Sequence, residues 1–310
     1  MKRSSIILGV LVLLGTQYVG AYTLKTDYLS VYVSTYGEVT KFIPTSLGID
    51  LLEIQEGYVG YQESKDGPLT VEKVCANNNW LEATWERYYS PENAYLKTKV
   101  YKKWGQCNNR RKITVYIETK IMDCKPYYDQ RWQVMYESGP APLWGVRFFK
   151  LIKGEPAVYG GGNIVGSVES ASASIWKCVN NTISSWGSWY QPWSDPESDF
   201  LYMCGPNSTW MLGGRGISSV GDPYEVGEYG DVVDRILRGD LSGTPHIPFI
   251  SGPFNNPTFA RQWTIGKINP YPTIPYAQRT DLRTEGVVPE PMTILLFTAG
   301  VIGLAIRRRL

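Results

Sequence analysis

Leu96-Lys97-Thr98-Lys99-Val100-Tyr101-Lys102-Lys103-Trp104 and Lys112-Ile113-Thr114-Val115-Tyr116-Ile117-Glu118-Thr119-Lys120-Ile121 decide the fold. Both runs are built from β-branched, aromatic and basic residues, and a short loop holding Gly105, Asn108 and Asn109 joins them. That combination reads as an antiparallel hairpin with Lys and Arg on one face. Immediately downstream, Arg131 to Glu137 and Leu143 to Ile152 form a second pair around Gly139-Pro140, so this part of the chain reads as a meander.

The pattern extends outward in both directions. Thr26 to Tyr36 alternates, with Tyr28, Ser30, Tyr32 and Ser34 set against Leu29, Val31, Val33 and Thr35. Period two argues a half-buried strand. Leu47 to Ile54 is a further strand candidate, and Asp66-Gly67-Pro68 marks a turn. Trp80, Leu81, Trp85 and Tyr88 have near-helical spacing before Ser90-Pro91, which predicts a short helix over Trp80 to Tyr89. Beyond Gly160-Gly161-Gly162, a hinge or domain boundary, Ser167 to Cys178, Asp199 to Cys204, Thr209 to Gly213 and Phe259 to Lys267 read as strands. Asp231 to Leu241 reads as a second short helix, closed by Gly239. Asn269 to Pro291 is proline-rich, with polar residues from Ala277 to Glu285, and reads as an extended stalk.

The expected class is therefore mainly β, with antiparallel sheets arranged as a sandwich or as two β subdomains and with one or two short helices. A signal helix precedes this body and a transmembrane helix follows it. In numbers, the division is a signal peptide at 1–21, a β-rich region at 22–158, and a second at 159–268 that can belong to the same domain. A stalk at 269–287 and a sorting signal at 288–310 complete it, with 292–306 crossing the membrane.

The ends carry the clearest address. Lys2-Arg3, the apolar run Ile6 to Leu14 and the small residues Gly20-Ala21 make a secretory signal peptide, cut after Ala21; an uncleaved anchor helix is the alternative. At the other end stand Val288-Pro289-Glu290-Pro291, the uncharged segment Met292 to Ile306, and Arg307-Arg308-Arg309-Leu310. As a helix that segment rises about 22 Å against a hydrocarbon core of about 30 Å, short for a permanent span. Three terminal arginines keep their end cytoplasmic and place the body on the far side of the inner membrane.

A tripeptide, an apolar segment and a basic stop in this order resemble the PEP-CTERM sorting signal of Gram-negative bacteria. The resemblance implies that an exosortase, a membrane transpeptidase, cuts near the Pro-Glu-Pro during passage through the export machinery. Pro289, Glu290 and Pro291 are then recognition residues, and Arg307, Arg308 and Arg309 the stop. The implied destination is the cell surface or the exopolysaccharide matrix, through an inner-membrane intermediate held by the tail. An ordinary carboxy-terminal anchor is the alternative.

The formal charge of +2 belongs to these ends. Without Lys2, Arg3, Glu290 and Arg307 to Arg309 the balance turns slightly negative, which argues against nucleic acid as a partner. About 265 residues remain for the body, enough for one large β domain or two modest ones. Five cysteines fall in the exported part, where disulfides form; Cys178–Cys204 and Cys107–Cys124 are the pairings favoured, and one thiol is left over.

No motif fixes a reaction. Trp186, Trp189, Tyr190 and Trp193 cluster among Gly187, Ser188 and Pro192. Such rings stack on sugars when exposed, or fill a core when buried. Asp195, Glu197 and Asp199 form a weak calcium candidate or a solvated acidic loop. Glu225, Glu228, Asp231 and Asp234 form a second acidic group. His246 is the only histidine and no Gly-x-Ser-x-Gly surrounds a serine, so a Ser-His machine is not expected. The expectation is a non-catalytic adhesion, matrix or glycan-binding protein without cofactor or metal, meeting extracellular polysaccharide through Trp186, Trp189, Tyr190 and Trp193. The alternative is a secreted polysaccharide hydrolase with acids drawn from Asp195, Asp199, Glu225, Glu228 or Asp231.

Overall fold

The computed structural model describes residues 22–75, 80–89, 93–122, 127–170, 174–179, 182–188, 197–205, 211–216, 223–242, 249–270 and 278–286. Numbered along the chain, β1 (Tyr22–Lys25), β2 (Leu29–Val33), β3 (Val39–Pro44), β4 (Leu52–Gln62) and β5 (Thr70–Lys73) come first. The meander follows as β6 (Leu81–Tyr89), β7 (Asn93–Trp104), β8 (Arg111–Met122), β9 (Tyr127–Ser138) and β10 (Leu143–Gly154). A single helical turn, α1 (Pro156–Tyr159), leads to β11 (Gly162–Ser170), β12 (Ser174–Val179), β13 (Thr182–Ser188), β14 (Glu197–Cys204) and β15 (Met211–Gly216). Then come β16 (Tyr224–Glu228), α2 (Tyr229–Arg238), β17 (Phe249–Phe254), β18 (Pro257–Ile268) and β19 (Gln278–Gly286).

These strands make a three-stranded sheet β1-β2-β3 and a five-stranded sheet β16-β18-β10-β4-β5. A nine-stranded sheet runs β17-β11-β14-β15-β19-β9-β8-β7-β6, and β12-β13 stand as a pair. The opening hairpin is β7 and β8, in continuous register from Asn93↔Met122 to Trp104↔Arg111. Its turn needs Gly105 at φ +82, where a Cβ would lie 2.3 Å from the Asn109 carbonyl oxygen.

Period two sorts the side chains of β8 and β9. Ile113, Val115, Ile117, Ile121, Tyr128, Trp132 and Val134 are buried, and most of the residues alternating with them in the two strands are only half-buried. The buried face meets the five-stranded sheet. Trp132 lies 4.7 Å, centroid to centroid, from Phe148 of β10, and Phe148 lies 5.8 Å from Trp263 of β18. The β1-β2-β3 sheet adds Leu24, Val31, Val33 and Phe42 to the same core. Each large apolar side chain so enclosed contributes about 1.5–3 kcal/mol.

A polar knot sits inside this core. The Gln130 Oε1 accepts from Gln55 Nε2 (2.9 Å), Trp132 Nε1 (2.9 Å) and Lys150 Nζ (2.5 Å). Its Nε2 donates to the Gly37 carbonyl (2.6 Å) and Thr119 Oγ1 (3.0 Å). Burial pushes the Lys150 amine well below the ordinary lysine value. The opposite face of the five-stranded sheet carries α2, whose Val232 and Ile236 pack on Tyr58, Phe149, Leu151 and Ala260. Gly239 ends α2 in the left-handed region, its N–H donating to the Ile236 carbonyl (2.8 Å), and a Cβ there would strike Leu69 at 1.8 Å.

The mainly-β, antiparallel expectation holds, as does the helix closed by Gly239. Two local expectations change. Trp80 to Tyr89 is not helical: Leu81–Tyr89 is β6, paired along β7 from Leu81↔Tyr101 to Tyr89↔Ala94. Pairing with a long neighbour satisfies the backbone of a Thr-, Trp- and Tyr-bearing segment better than an isolated short helix does. Within the stretch read as stalk, Gln278–Gly286 forms β19, between β15 and β9. Strands from either side of Gly160–Gly162 also share a sheet, as β10 does with β18 and β19 with β9. The signal peptide, the membrane segment 292–306 and the Pro-Glu-Pro lie outside the described residues. Among the described residues no helix is long and apolar enough to cross a membrane.

Candidate functional site

The second acidic group is the one that the fold draws together. Beside α2 lies an open cleft of about 480 Å³, lined by Glu225, Glu228, Asp231 and Asp234 together with Arg235, Arg238 and Phe254. The strand β16 supplies the two glutamates, and the first turns of α2 supply the aspartates. The glutamates are already engaged. Glu225 Oε2 accepts from the Ser242 backbone N–H (3.3 Å) and hydroxyl (2.9 Å). The Glu228 carboxylate accepts from the backbone N–H groups of Asn255 (2.7 Å) and Asn256 (2.9 Å). These bonds fix the chain around β17 and β18. Asp231 and Asp234 stay exposed beside the two arginines. Carboxylates, guanidinium groups and one phenyl ring around an open cleft suit hydrogen bonding to a hydroxyl-rich ligand.

A second cluster has no signature in the linear sequence. Pairing of β4 with β5 sets Tyr58 opposite Lys73. There Glu56 Oε1 accepts from Lys73 Nζ (2.7 Å) and from the Tyr229 hydroxyl (3.1 Å), while the Tyr58 hydroxyl donates to Oε2. Glu38, from the turn before β3, lies 3.7 Å from the same Lys73 Nζ. Burial, with the Glu56 charge nearby, lifts the Glu38 carboxyl to about 7, although Lys73 pulls it down. Burial opposes the charge on Lys73, yet Glu56 and Glu38 hold its amine above the ordinary lysine value. A carboxyl poised near neutrality beside a paired carboxylate can take up and release a proton. Lys73 bridges the two acids, 2.7 Å from Glu56 and 3.7 Å from Glu38.

The other expected site residues fall differently. Trp186 is placed on β13 by its backbone, and Trp189, Tyr190 and Trp193 lie outside the described residues. Glu197 and Asp199 stand on β14, whereas Asp195 and His246 lie outside the described residues. Among the described residues no His, Cys, Asp and Glu group is arranged to hold a metal ion. Cys107 is exposed in the β7–β8 turn and Cys204 is buried at the end of β14. The sulfurs of Cys178 and Cys124, named above as their partners, lie outside the described side chains.

Residues 287–309 match the family model described as the PEP-CTERM protein-sorting motif. The chain ends in a PEP-CTERM sorting motif. The protein is therefore exported, passes through a membrane-anchored intermediate to the surface, and is processed by an exosortase. No curated protein matches the chain. Among solved structures, a galactose mutarotase-like protein from Lactobacillus casei is similar at 7% identity and a TM-score of 0.44, over 86% of this chain and 100% of that one. A putative aldose 1-epimerase from Escherichia coli is similar at 8% and 0.43, over 87% and 99%. A copper-containing benzylamine oxidase from Hansenula polymorpha is similar at 8% and 0.41, over 92% and 63%. The expectation of a non-catalytic body is corrected by these comparisons, because the similar structures are described as enzymes. At these values the likeness assigns neither a reaction nor a substrate to this chain.

Proposed function

We propose that the exported body binds polysaccharide at the cell surface or in the extracellular matrix. The observation that supports this reading is the sorting motif at 287–309, since an exported body that reaches the surface meets glycan there. The clustered rings of Trp186, Trp189, Tyr190 and Trp193 supply the chemistry, since aromatic faces stack on sugar rings and indole and phenol edges hydrogen-bond to hydroxyls. The test uses the full-length protein in detergent on a panel of immobilised neutral polysaccharides, scored for retention and for release of reducing ends. Retention that disappears in Trp189→Ala supports the proposal. Passage of the wild-type protein through every column contradicts it.

A second reading, a polysaccharide-acting hydrolase, is favoured by the cleft that gathers Glu225, Glu228, Asp231 and Asp234. Release of reducing ends that is abolished in Asp231→Asn supports that reading, and retention without release argues against it. Delivery is tested separately. Pro289→Ala combined with Pro291→Ala traps a membrane-bound precursor, unless the Pro-Glu-Pro plays no part in processing.

A further inference from the structure

We propose that the solvent-facing side of β7, β8 and β9 is a docking surface for an acidic polysaccharide. This rests on the glycan-binding reading above, but it names a chemical class of glycan and residues other than Trp186 to Trp193. On that side, register places Tyr95 opposite Lys120, Lys97 opposite Glu118, Lys99 opposite Tyr116, Tyr101 opposite Thr114 and Lys103 opposite Lys112. Lys97 and Lys103 are exposed, and the three tyrosines are half-buried between lysine stems. Lys97 Nζ lies 5.2 Å from the Tyr95 ring centroid and Lys99 Nζ 5.1 Å from that of Tyr116. Lys103 and Lys112 both lie 5.1 Å from the Tyr101 centroid. Side chains stand roughly perpendicular to a sheet, so ammonium groups alternate with phenol rings across a broad face.

Two features separate this face from an ordinary solvated one. The first is its sign. Lys97, Lys99, Lys103, Lys112, Lys120 and Arg131 outnumber Glu118, Asp129 and Glu137, and still do with Glu86, which β6 sets opposite Lys97, although the body without its targeting ends is slightly negative. Arg131 reaches Glu118 at 3.3 Å, while Lys99 (3.4 Å) and Lys112 both reach Glu137. The surplus on the face is positive. The second feature is Lys103↔Lys112, like charges placed directly across a strand pair. Glu137 already offsets Lys112, so the exposed Lys103 is the ammonium group that a polyanion laid over the sheet reaches.

Charge complementarity therefore points to an anionic partner, and the phenols point to a polymer that also carries hydroxyls. Strands about 4.8 Å apart, with same-face residues about 7 Å apart along each strand, present these groups as a close-set array. Delivery outside the cell places such polymers within reach.

The experiment immobilises a polyuronate, a neutral glucan and phosphatidylglycerol vesicles, and measures binding of the full-length protein in detergent at two salt concentrations. The wild type is expected to hold the polyuronate at low salt, to release it as salt rises, and to favour it over the vesicles. Lys97→Glu with Lys103→Glu should weaken polyuronate binding at least tenfold, and the Gln pair by a smaller factor. Neutral-glucan retention should not change in either variant. Unchanged thermal melting confirms that both variants fold. Equal polyuronate binding by all three proteins overturns the proposal, as does tighter binding to the vesicles. Loss of polyuronate binding by the wild type, with neutral glycans still held, overturns this inference alone. Failure on every glycan overturns the broader reading as well.

Discussion

The strands β7, β8 and β9 have two faces of opposite character, although their residues alternate along the same backbone. One face buries Val100, Val115, Ile117, Trp132 and Val134, with polar groups at Gln130 and Lys150 and at Lys102, which pairs with Glu72. The other carries Lys97, Lys99, Lys103, Tyr101 and Tyr116 toward water. Substitutions on the first face should change stability, and substitutions on the second should change binding. The fold and the proposed docking surface thus share strands but not side chains, because successive residues of a strand point opposite ways.

The comparison breaks most visibly at Trp132. Its ring joins the two large sheets through Phe148, so Trp132→Ala should lower unfolding free energy by about 3–5 kcal/mol. Urea titration measures this, and a loss below about 1 kcal/mol would mean that the sheets do not pack through it. Lys150→Met should act in the opposite direction. It removes a buried amine while Gln130 Oε1 keeps Gln55 and Trp132 as donors, so stability at neutral pH should rise by about 1–3 kcal/mol. The gain should shrink as pH climbs toward 10.5, because the unfolded chain then no longer holds the proton that the folded chain excludes.

A smaller effect is expected at Glu38. Its folded carboxyl titrates at about 7 against 4.5 when exposed, so the native state binds the extra proton between those values. Its contribution to stability is full below 4.5, falls as pH rises, and levels off above about 7. Glu38→Gln should flatten that slope in melting curves taken across the window. The smallest stability effect belongs to Lys97→Glu with Lys103→Glu: the first sets like charges against Glu118 and the second removes them from Lys112, so the melting temperature should stay within about 2 °C.

What the sequence revealed depended on how local the signal was. The β7–β8 hairpin was legible because alternation and a Gly-Asn-Asn loop lie within one short stretch. The segment Leu81–Tyr89 was not, since its aromatic spacing suits a helix and only the neighbouring β7 makes it a strand. Nor was β19 legible: Gln278–Gly286 is nearly all polar, and its place is set by β9 and β15, remote in sequence. For sites, the acids at 225–234 were visible as a group because one strand–helix junction supplies them. The Glu38–Lys73–Glu56 cluster was invisible, since a turn, two strands and the first residue of α2 bring its members together. The sorting motif was legible from the tail alone, because a sorting signal acts as a linear segment.

Thermal melting with and without a soluble polyuronate tests the division of faces most directly. A ligand that binds only the native state raises its melting temperature. The account predicts equal melting of the wild type and Lys97→Glu/Lys103→Glu without polymer, and a rise on adding polymer in the wild type alone. Equal rises in both proteins, or a variant that melts far below the wild type before any polymer is added, would contradict it.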